Sequence, residues 1–315
     1  MIIDAKVIPA LQMQTLLPFQ DAGVTTVNVP ASLWHDYAGT RANLKSLSRL
    51  IESNDSALAT VRSTEDITSC DRSGSLGIVT SISSSAAFDD DPDKIADLQS
   101  KGIRIAQPVF MARSAAGSSY TDNPETGLTD LGRKFVAEFN RLGIAIDLSH
   151  VGDRTAATIT ACSTDPVFFS QTTPRSLNPA KRNKTDKAMG AVANGGGVIC
   201  IAALRQYLPR AGDSTVDDIA DAIIYCVNTA GEEHVAIGSD LTPDQSSDFY
   251  RYVSTKYGSG AAIAHSSADD ATPGFSDATG YCQLRTALQR KNMQNSTIDR
   301  IMGTNLFRYF NDVWK

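Results

Sequence analysis

The stretch GLTDLGRKFVAEFNRLGIAIDLSHVGD, residues 127–153, holds one complete cycle of a pattern that runs through the whole chain. Leu131, Phe135, Phe139 and Leu142 recur at i, i+4, i+8 and i+11, which predicts an amphipathic helix over 129–142. A Leu-Gly break follows, then a short, nearly continuous apolar run at 145–148, the mark of a strand buried on both faces. The run ends on Ser149 and His150, polar residues at a strand end where a loop begins.

Outward from this segment the alternation repeats. Strands are predicted at 2–8, 25–29, 57–61, 76–82, 103–109, 167–170, 198–202 and 235–238, and further helices at 187–193 and 216–229. No Pro/Gly/Ser linker divides them, and about eight βα units in one chain predict an α/β fold, a single (β/α)8 TIM-like barrel over 1–315. The main interruption is 242–278, rich in Ser, Asp, Gly and Tyr. It is expected to be a lid over the catalytic face or a long solvated connection. The FDDDPDK run at 88–94 reads as a helix start with acids at the positive dipole end, and Gly195-Gly196-Gly197 as a helix C-cap and turn.

Composition narrows the function classes. With 35 acidic and 29 basic side chains, a net charge of -6 leaves no overall positive field, so nucleic acid is not an expected partner. The cysteines, Cys70, Cys162, Cys200, Cys226 and Cys282, are scattered without a C-x-x-C pair, which suits a reducing cytoplasm. No basic region precedes an apolar stretch at the start, and no apolar run approaches about 18 residues, so no membrane insertion is expected. No dinucleotide, phosphate-loop or nucleophile-elbow motif is present, and no cofactor is expected.

In a βα barrel the reacting groups project from the C-terminal ends of strands. Asp4 and Lys6 on the first strand, His150, Gln171 ending VFFSQ and Asp240 ending VAIGSD are therefore the candidates. His150 is a functional imidazole or a structural hydrogen-bonded one. Asp240 is a base, a ligand or a loop cap. Lys6 is a catalytic amine if its head enters the barrel mouth, and a snorkelling surface lysine otherwise. His35 sits in a polar segment, His234 precedes a strand and so points to the wrong end, and His265 lies in the long interruption.

These residues resemble the membrane dipeptidase (renal dipeptidase-like) family of metallopeptidases. The likeness is strongest in residues 127–153 and continues through PVFFSQTTPRSLNPAKRNKTDKAMGAVANGGGVICI, EEHVAIGSDLT and IDRIMGTNLFRYFNDVW. It implies a barrel of the metal-dependent hydrolase type with paired zinc ions, dipeptide hydrolysis and often a homodimer. Position by position, however, the family's zinc donors are replaced. The family's Asp-Gly-His-x-Asp reads Asp4-Ala5-Lys6-Val7-Ile8 here, the bridging glutamate falls at Ser83, and the F-S-H-S histidine falls at Gln171. Of the ligand positions only His150 keeps its residue. The substrate-contacting histidine maps to Phe110, whereas Arg182, the counterpart of a carboxylate-holding arginine, and Asp240, the counterpart of the proton-handling acid, are kept.

The expectation is a metal-independent enzyme doing acid/base chemistry on a small amino-acid-derived or carboxylate-bearing metabolite, by isomerisation, elimination, decarboxylation or cyclisation. Lys6, His150 and Asp240 would be catalytic, with Lys6 an acid/base or imine-forming amine; Arg182, Gln171, Ser83 and Phe110 would face the substrate. A hydrolase with a rebuilt single-metal site on His150, Asp240 and Asp4, and a non-catalytic small-molecule binder, are the competing readings.

Overall fold

The computed structural model describes residues 1–257 and 271–315. Its strands are β1 (Ile3–Asp4), β2 (Thr26–Ser32), β3 (Leu58–Val61), β4 (Leu76–Ile82), β5 (Ile103–Ala106), β6 (Ala145–Ile146), β7 (Phe169–Thr172), β8 (Ile199–Ile201) and β9 (Val235–Ile237). All ladders between them are parallel, in the order β1-β2-β4-β5-β6 and β7-β8-β9. Parallel bridges Asp147↔Phe168 and Val7↔Leu241 join the two sheets at both seams, which closes the (β/α)8 barrel. β3 pairs with the first half of β4, on the edge that β5 takes over from Thr80, and so stands beside the barrel wall.

The helices are α1 (Met13–Asp21), α2 (Tyr37–Glu52), α3 (Thr64–Ser73), α4 (Ile95–Ser100), α5 (Asp130–Leu142), α6 (Asp153–Cys162), α7 (Asp186–Asn194), α8 (Val216–Ala230), α9 (Ser247–Tyr257), α10 (Gly280–Arg290), α11 (Asn295–Asp299) and α12 (Asn305–Val313). α5 shows how locally the sequence sets these elements. The Thr129 hydroxyl accepts from Gly132 N–H at its start, Phe135, Val136 and Phe139 are buried, and Gly143 at φ 63° ends it in the left-handed conformation that glycine adopts without a Cβ clash. Side chains from β1, β4, β5, β6, β8 and β9 meet inside the barrel with Leu306, Tyr309, Phe310 and Val313 of α12. Tyr309 also donates to the carbonyl of Pro166, ahead of β7, so α12 closes the end opposite the candidate residues.

The structure corrects two readings. The first strand is regular only over Ile3–Asp4; beyond it Ala5 N–H donates to Ile237 O, Val7 N–H to Asn28 O and Ile8 N–H to Leu241 O, so the segment still lines the seam but bends between its neighbours. The acidic run 88–94 is not itself the helix start. Asp89 and Asp90 take positive φ, Asp91 caps a 3-10 turn at Pro92–Lys94, and α4 begins at Ile95. The interruption at 242–278 contains helix α9, where Val253, Phe249 and Tyr250 pack on Ile8, Leu33, Phe110 and Met111. The middle of that segment, with His265, lies outside the described residues. Gly195 caps α7 and Gly196 at φ 85° makes the turn that the Gly-Gly-Gly run predicts.

Close packing at one strand end gives a strong stability prediction. A Cβ on Gly238 would collide with the carbonyl oxygen of Ser170 in the backbone of β7, which cannot yield without breaking the wall. Gly238→Ala should therefore cost several kcal/mol or prevent folding, on the scale of about 1–3 kcal/mol or more for forced overpacking. Gly190, in α7, has nothing within 4 Å of its would-be Cβ. Gly190→Ala should stabilise by up to about 1 kcal/mol, and thermal melts of the two variants check the contrast.

Candidate active site

Seven of the candidate residues lie at or beyond the C-terminal ends of the strands. Lys6 follows β1, Ser83 follows β4, Phe110 lies beyond β5, His150 beyond β6, Gln171 is in β7, Arg182 is in the loop after β7, and Asp240 follows β9. All seven are at most 4% exposed. The Lys6 ammonium donates to Ser83 Oγ at 3.3 Å, the Gln171 amide nitrogen lies 3.2 Å from His150 Nε2, and the Phe110 ring centroid is 4.6 Å from that of His150. Arg182 Nη2 donates to Asp240 Oδ2 at 3.1 Å, with its guanidinium over the Tyr207 ring. Asp240 N–H donates to Lys6 O at 2.8 Å, which ties the two strand ends together. Asp240 holds φ 59°, a left-handed backbone uncommon outside glycine, at the point where its carboxylate enters the mouth.

Two carboxylates that organise this mouth carry no free chemistry of their own. Asp147 takes the Gln107 amide at 2.5 Å, the backbone N–H and hydroxyl of Ser149 at 3.0 and 2.6 Å, and Ser170 N–H at 3.0 Å. It fixes the turn that presents His150. Asp4 accepts from the N–H groups of Lys6 at 2.8 Å and Ser239 at 3.0 Å, and from the Tyr281 hydroxyl at 2.5 Å. Asp4 is thus a brace between β1 and β9. Sequence reading passed over Asp147, although a lone carboxylate inside the apolar run IAIDL was a readable signal, since a buried acid needs several donors. Lys184, Gln107, Tyr207 and Tyr281 were also missed. Their partners lie far away in sequence, and no spacing announces them.

Several of these strand-end residues keep unpartnered polar atoms. Arg182 Nε and Nη1, Asp240 Oδ1, His150 Nδ1 and Gln107 Oε1 are buried without a hydrogen-bond partner. Such groups cost about 1–3 kcal/mol each when left unpaired, so those on Arg182, Asp240 and His150 make the strand-end mouth a candidate ligand position. With the Gln171 amide as donor to Nε2, the His150 proton sits on Nδ1, one of the unpartnered atoms. His150 bonds to Gln171 and Asp240 to Arg182, so the two are not a hydrogen-bonded pair.

Burial sets the protonation states. It pushes His150 well below the usual imidazole range, aided by Arg182, Lys6 and Lys184, so the ring is neutral. Burial also lowers Lys6, against the pull of Asp147 and Asp240, and raises Asp240, against Arg182 and Lys6. Lys184, whose ammonium donates to Val151 O at 2.6 Å, is lowered to about 7, chiefly by burial, with Arg182 and Arg175 adding to it and Asp153 and Asp147 opposing it. Between that value and the ordinary 10.5 the unfolded chain holds a proton that the folded one lacks, so stability rises with pH across this window. Urea melts at pH 7 and pH 9 should show that rise, at up to about 1.4 kcal/mol per pH unit per group. Lys184→Met should reduce it; an unchanged slope would contradict the assignment.

The zinc pair implied by the resemblance does not fit these residues. An ammonium, an isoleucine, a serine and an amide stand where donors would be, and the Asp4 carboxylate is engaged by the backbone. Among the described residues no group of three or more His, Cys, Asp or Glu side chains is placed to hold a metal ion. The rebuilt single-metal site on His150, Asp240 and Asp4 is not formed by the described residues. No helix among them is long and apolar enough to cross a membrane.

Comparison with known proteins agrees with the fold. A family model described as membrane dipeptidase (peptidase family M19) matches residues 18–252, which include Ser83, Phe110, His150, Gln171, Arg182 and Asp240 and begin after Lys6. An uncharacterized dipeptidase of Schizosaccharomyces pombe is 30% identical over 64% of this chain, which spans only 43% of that protein's length. A Klebsiella pneumoniae protein, uncharacterized and encoded in the pqqA 5′ region, is 25% identical over 85% of this chain and 94% of its own. A crystal structure of an amidohydrolase from Pseudomonas aeruginosa superposes with TM-score 0.94 at 29% identity, covering 100% of this chain and 96% of that one.

Proposed function

The chain belongs to the membrane dipeptidase family, and from that premise we propose that it is a member whose barrel mouth works without zinc, as an acid/base catalyst on a small carboxylate-bearing metabolite. The observation that supports this most is the set of unpartnered buried atoms on Arg182, Asp240 and His150 around a lysine at a ligand position. Arg182 Nη1 and Nε carry unpartnered N–H groups on different edges of the guanidinium, and Nη1 can donate a charge-assisted hydrogen bond to a carboxylate. Asp240 Oδ1 is free to take a proton from the carbon or nitrogen next to it, while Arg182 holds its other oxygen. Neutral His150 offers an N–H to a developing negative charge. The roof of Ile8, Phe110 and the α9 side chains excludes water.

The test follows proton exchange by NMR in deuterium oxide with EDTA present, over a panel of short 2-oxo and 2-amino acids. Exchange at the carbon beside the carboxylate or carbonyl is expected for the wild type and lost in Asp240→Asn and Lys6→Met. Exchange abolished by EDTA would restore a metal-dependent hydrolase reading. Saturable binding without exchange would instead leave a binding protein, a cytoplasmic or exported one alike.

A further inference from the structure

The mouth contains a group whose chemistry acid/base catalysis alone does not use. Lys6 is 1% exposed, and among the described residues it makes no ion pair: its one side-chain hydrogen bond is the 3.3 Å contact to Ser83 Oγ, a neutral partner. A buried ammonium without a counter-ion is costly, so burial shifts Lys6 toward the amine, and the free amine is a nucleophile. Asp147 and Asp240 act on it only from a distance, Asp147 being occupied by its own donors and Asp240 by Arg182. The other amine buried in this region, Lys184, differs in this respect. Its head is held at 2.6 Å by the Val151 carbonyl and lies over the Phe169 ring, so its position is structural.

We propose that Lys6 is a covalent catalyst that forms an iminium with the carbonyl carbon of a 2- or 3-oxo carboxylate held by the unpartnered Nη1 of Arg182. This rests on the functional reading above and narrows its substrate class to aldehydes or ketones bearing a carboxylate. The Lys6 Nζ lone pair attacks the carbonyl carbon, and a proton passes from nitrogen to oxygen to give a carbinolamine. A second proton, given to that oxygen by the carboxylic acid form of Asp240, lets it leave as water and leaves a C=N+ bond and the Asp240 carboxylate. The iminium draws electrons from the neighbouring carbon, so Asp240 Oδ1 removes its proton and an enamine forms; reprotonation and addition of water release the product and the amine. No oxidant, reductant or metal enters the balance. Ser83 Oγ, beside Nζ, is placed to relay the proton to the departing oxygen.

The experiment uses the full-length wild-type protein with pyruvate and sodium cyanoborohydride, read by intact mass and tryptic mapping. A single adduct is expected, with the mass of the probe less one oxygen, on Lys6. Trypsin then fails to cut after Lys6 and leaves residues 1–41 as one peptide, because the next basic residue is Arg41. Prior addition of a carboxylate that lacks a carbonyl, such as propionate, should slow the trapping, and Lys184→Met should still trap at Lys6. No adduct, or adducts spread over surface lysines at the rate seen after unfolding, would overturn the iminium. Proton exchange that persists in the wild type without any Lys6 adduct would sink this inference alone, whereas loss of both would sink the acid/base reading with it.

Discussion

Dipeptide hydrolysis should stay at the level of a protein-free control when zinc is supplied in excess. Zinc drives such hydrolysis by lowering the pKa of bound water from about 15.7 to about 7 and by polarising the carbonyl. Both effects need an ion held by several donors with a position left open for water. The positions that the resemblance assigns to the donors carry Lys6, Ile8, Ser83 and Gln171, and one Asp240 oxygen is held by Arg182 at 3.1 Å. Lys6 also brings an amine where cations would have to sit. The predicted outcome is a null result with an alanyl dipeptide assayed by amine release, with and without added Zn²⁺ or Mn²⁺. Metal-stimulated hydrolysis that EDTA reverses would show that the ligand set is completed by residues other than those at the family positions.

Arg182→Met should be among the most damaging single side-chain truncations at the mouth, at about 3–5 kcal/mol, the usual cost of removing one partner from a buried ion pair. Arg182 and Asp240 are 1% and 4% exposed, so water does not screen the loss. Arg182 is also the strongest influence opposing the upward push of burial on Asp240. Without it the acid takes up a proton more readily, and the variant should lose less stability at acidic pH than at neutral pH. Asp240→Asn added to Arg182→Met should recover part of the loss, giving a coupling of about 1–3 kcal/mol in a double-mutant cycle. A single-variant effect below about 0.5 kcal/mol, the range of ordinary surface changes, would mean that the pair is not buried as described.

Most of the architecture could be read from the chain because its signals are local. The β4 run at 76–82 ends where its apolar character ends, and Thr129 and Gly143 bracket α5 with cap chemistry that needs no tertiary context. The first strand was harder to bound. Its later residues bond to β2 on one side and to β9 and the segment after it on the other, and nothing in Ala5-Lys6-Val7-Ile8 encodes that bend. Nothing in the 242–278 segment, a lid or a long connection rich in Ser, Asp, Gly and Tyr, announces a helix. The helix α9 forms there through tertiary contacts of Phe249, Tyr250 and Val253 with Ile8 and Phe110, residues that stand at family positions of a ligand and of a substrate contact.

The candidate residues were legible because strand ends in a barrel face one mouth, and the structure brings all seven of them there. Their supports were not legible. Asp147 and Asp4 act through donors drawn from Gln107, Ser170, Ser239 and Tyr281, pairings that only the closed barrel creates. Whether Lys6 pointed inward was likewise open in the sequence, since a lysine in a strand can snorkel outward. The contact with Ser83 decides it.

The most direct measurement is the zinc content per chain by mass spectrometry, on protein purified without chelator and again after incubation with excess zinc and removal of the unbound ion. A mouth built on Lys6, Ser83 and Gln171 predicts a value well below one ion per chain in both samples. One or more tightly held ions would contradict it and return zinc-dependent dipeptide hydrolysis to first place.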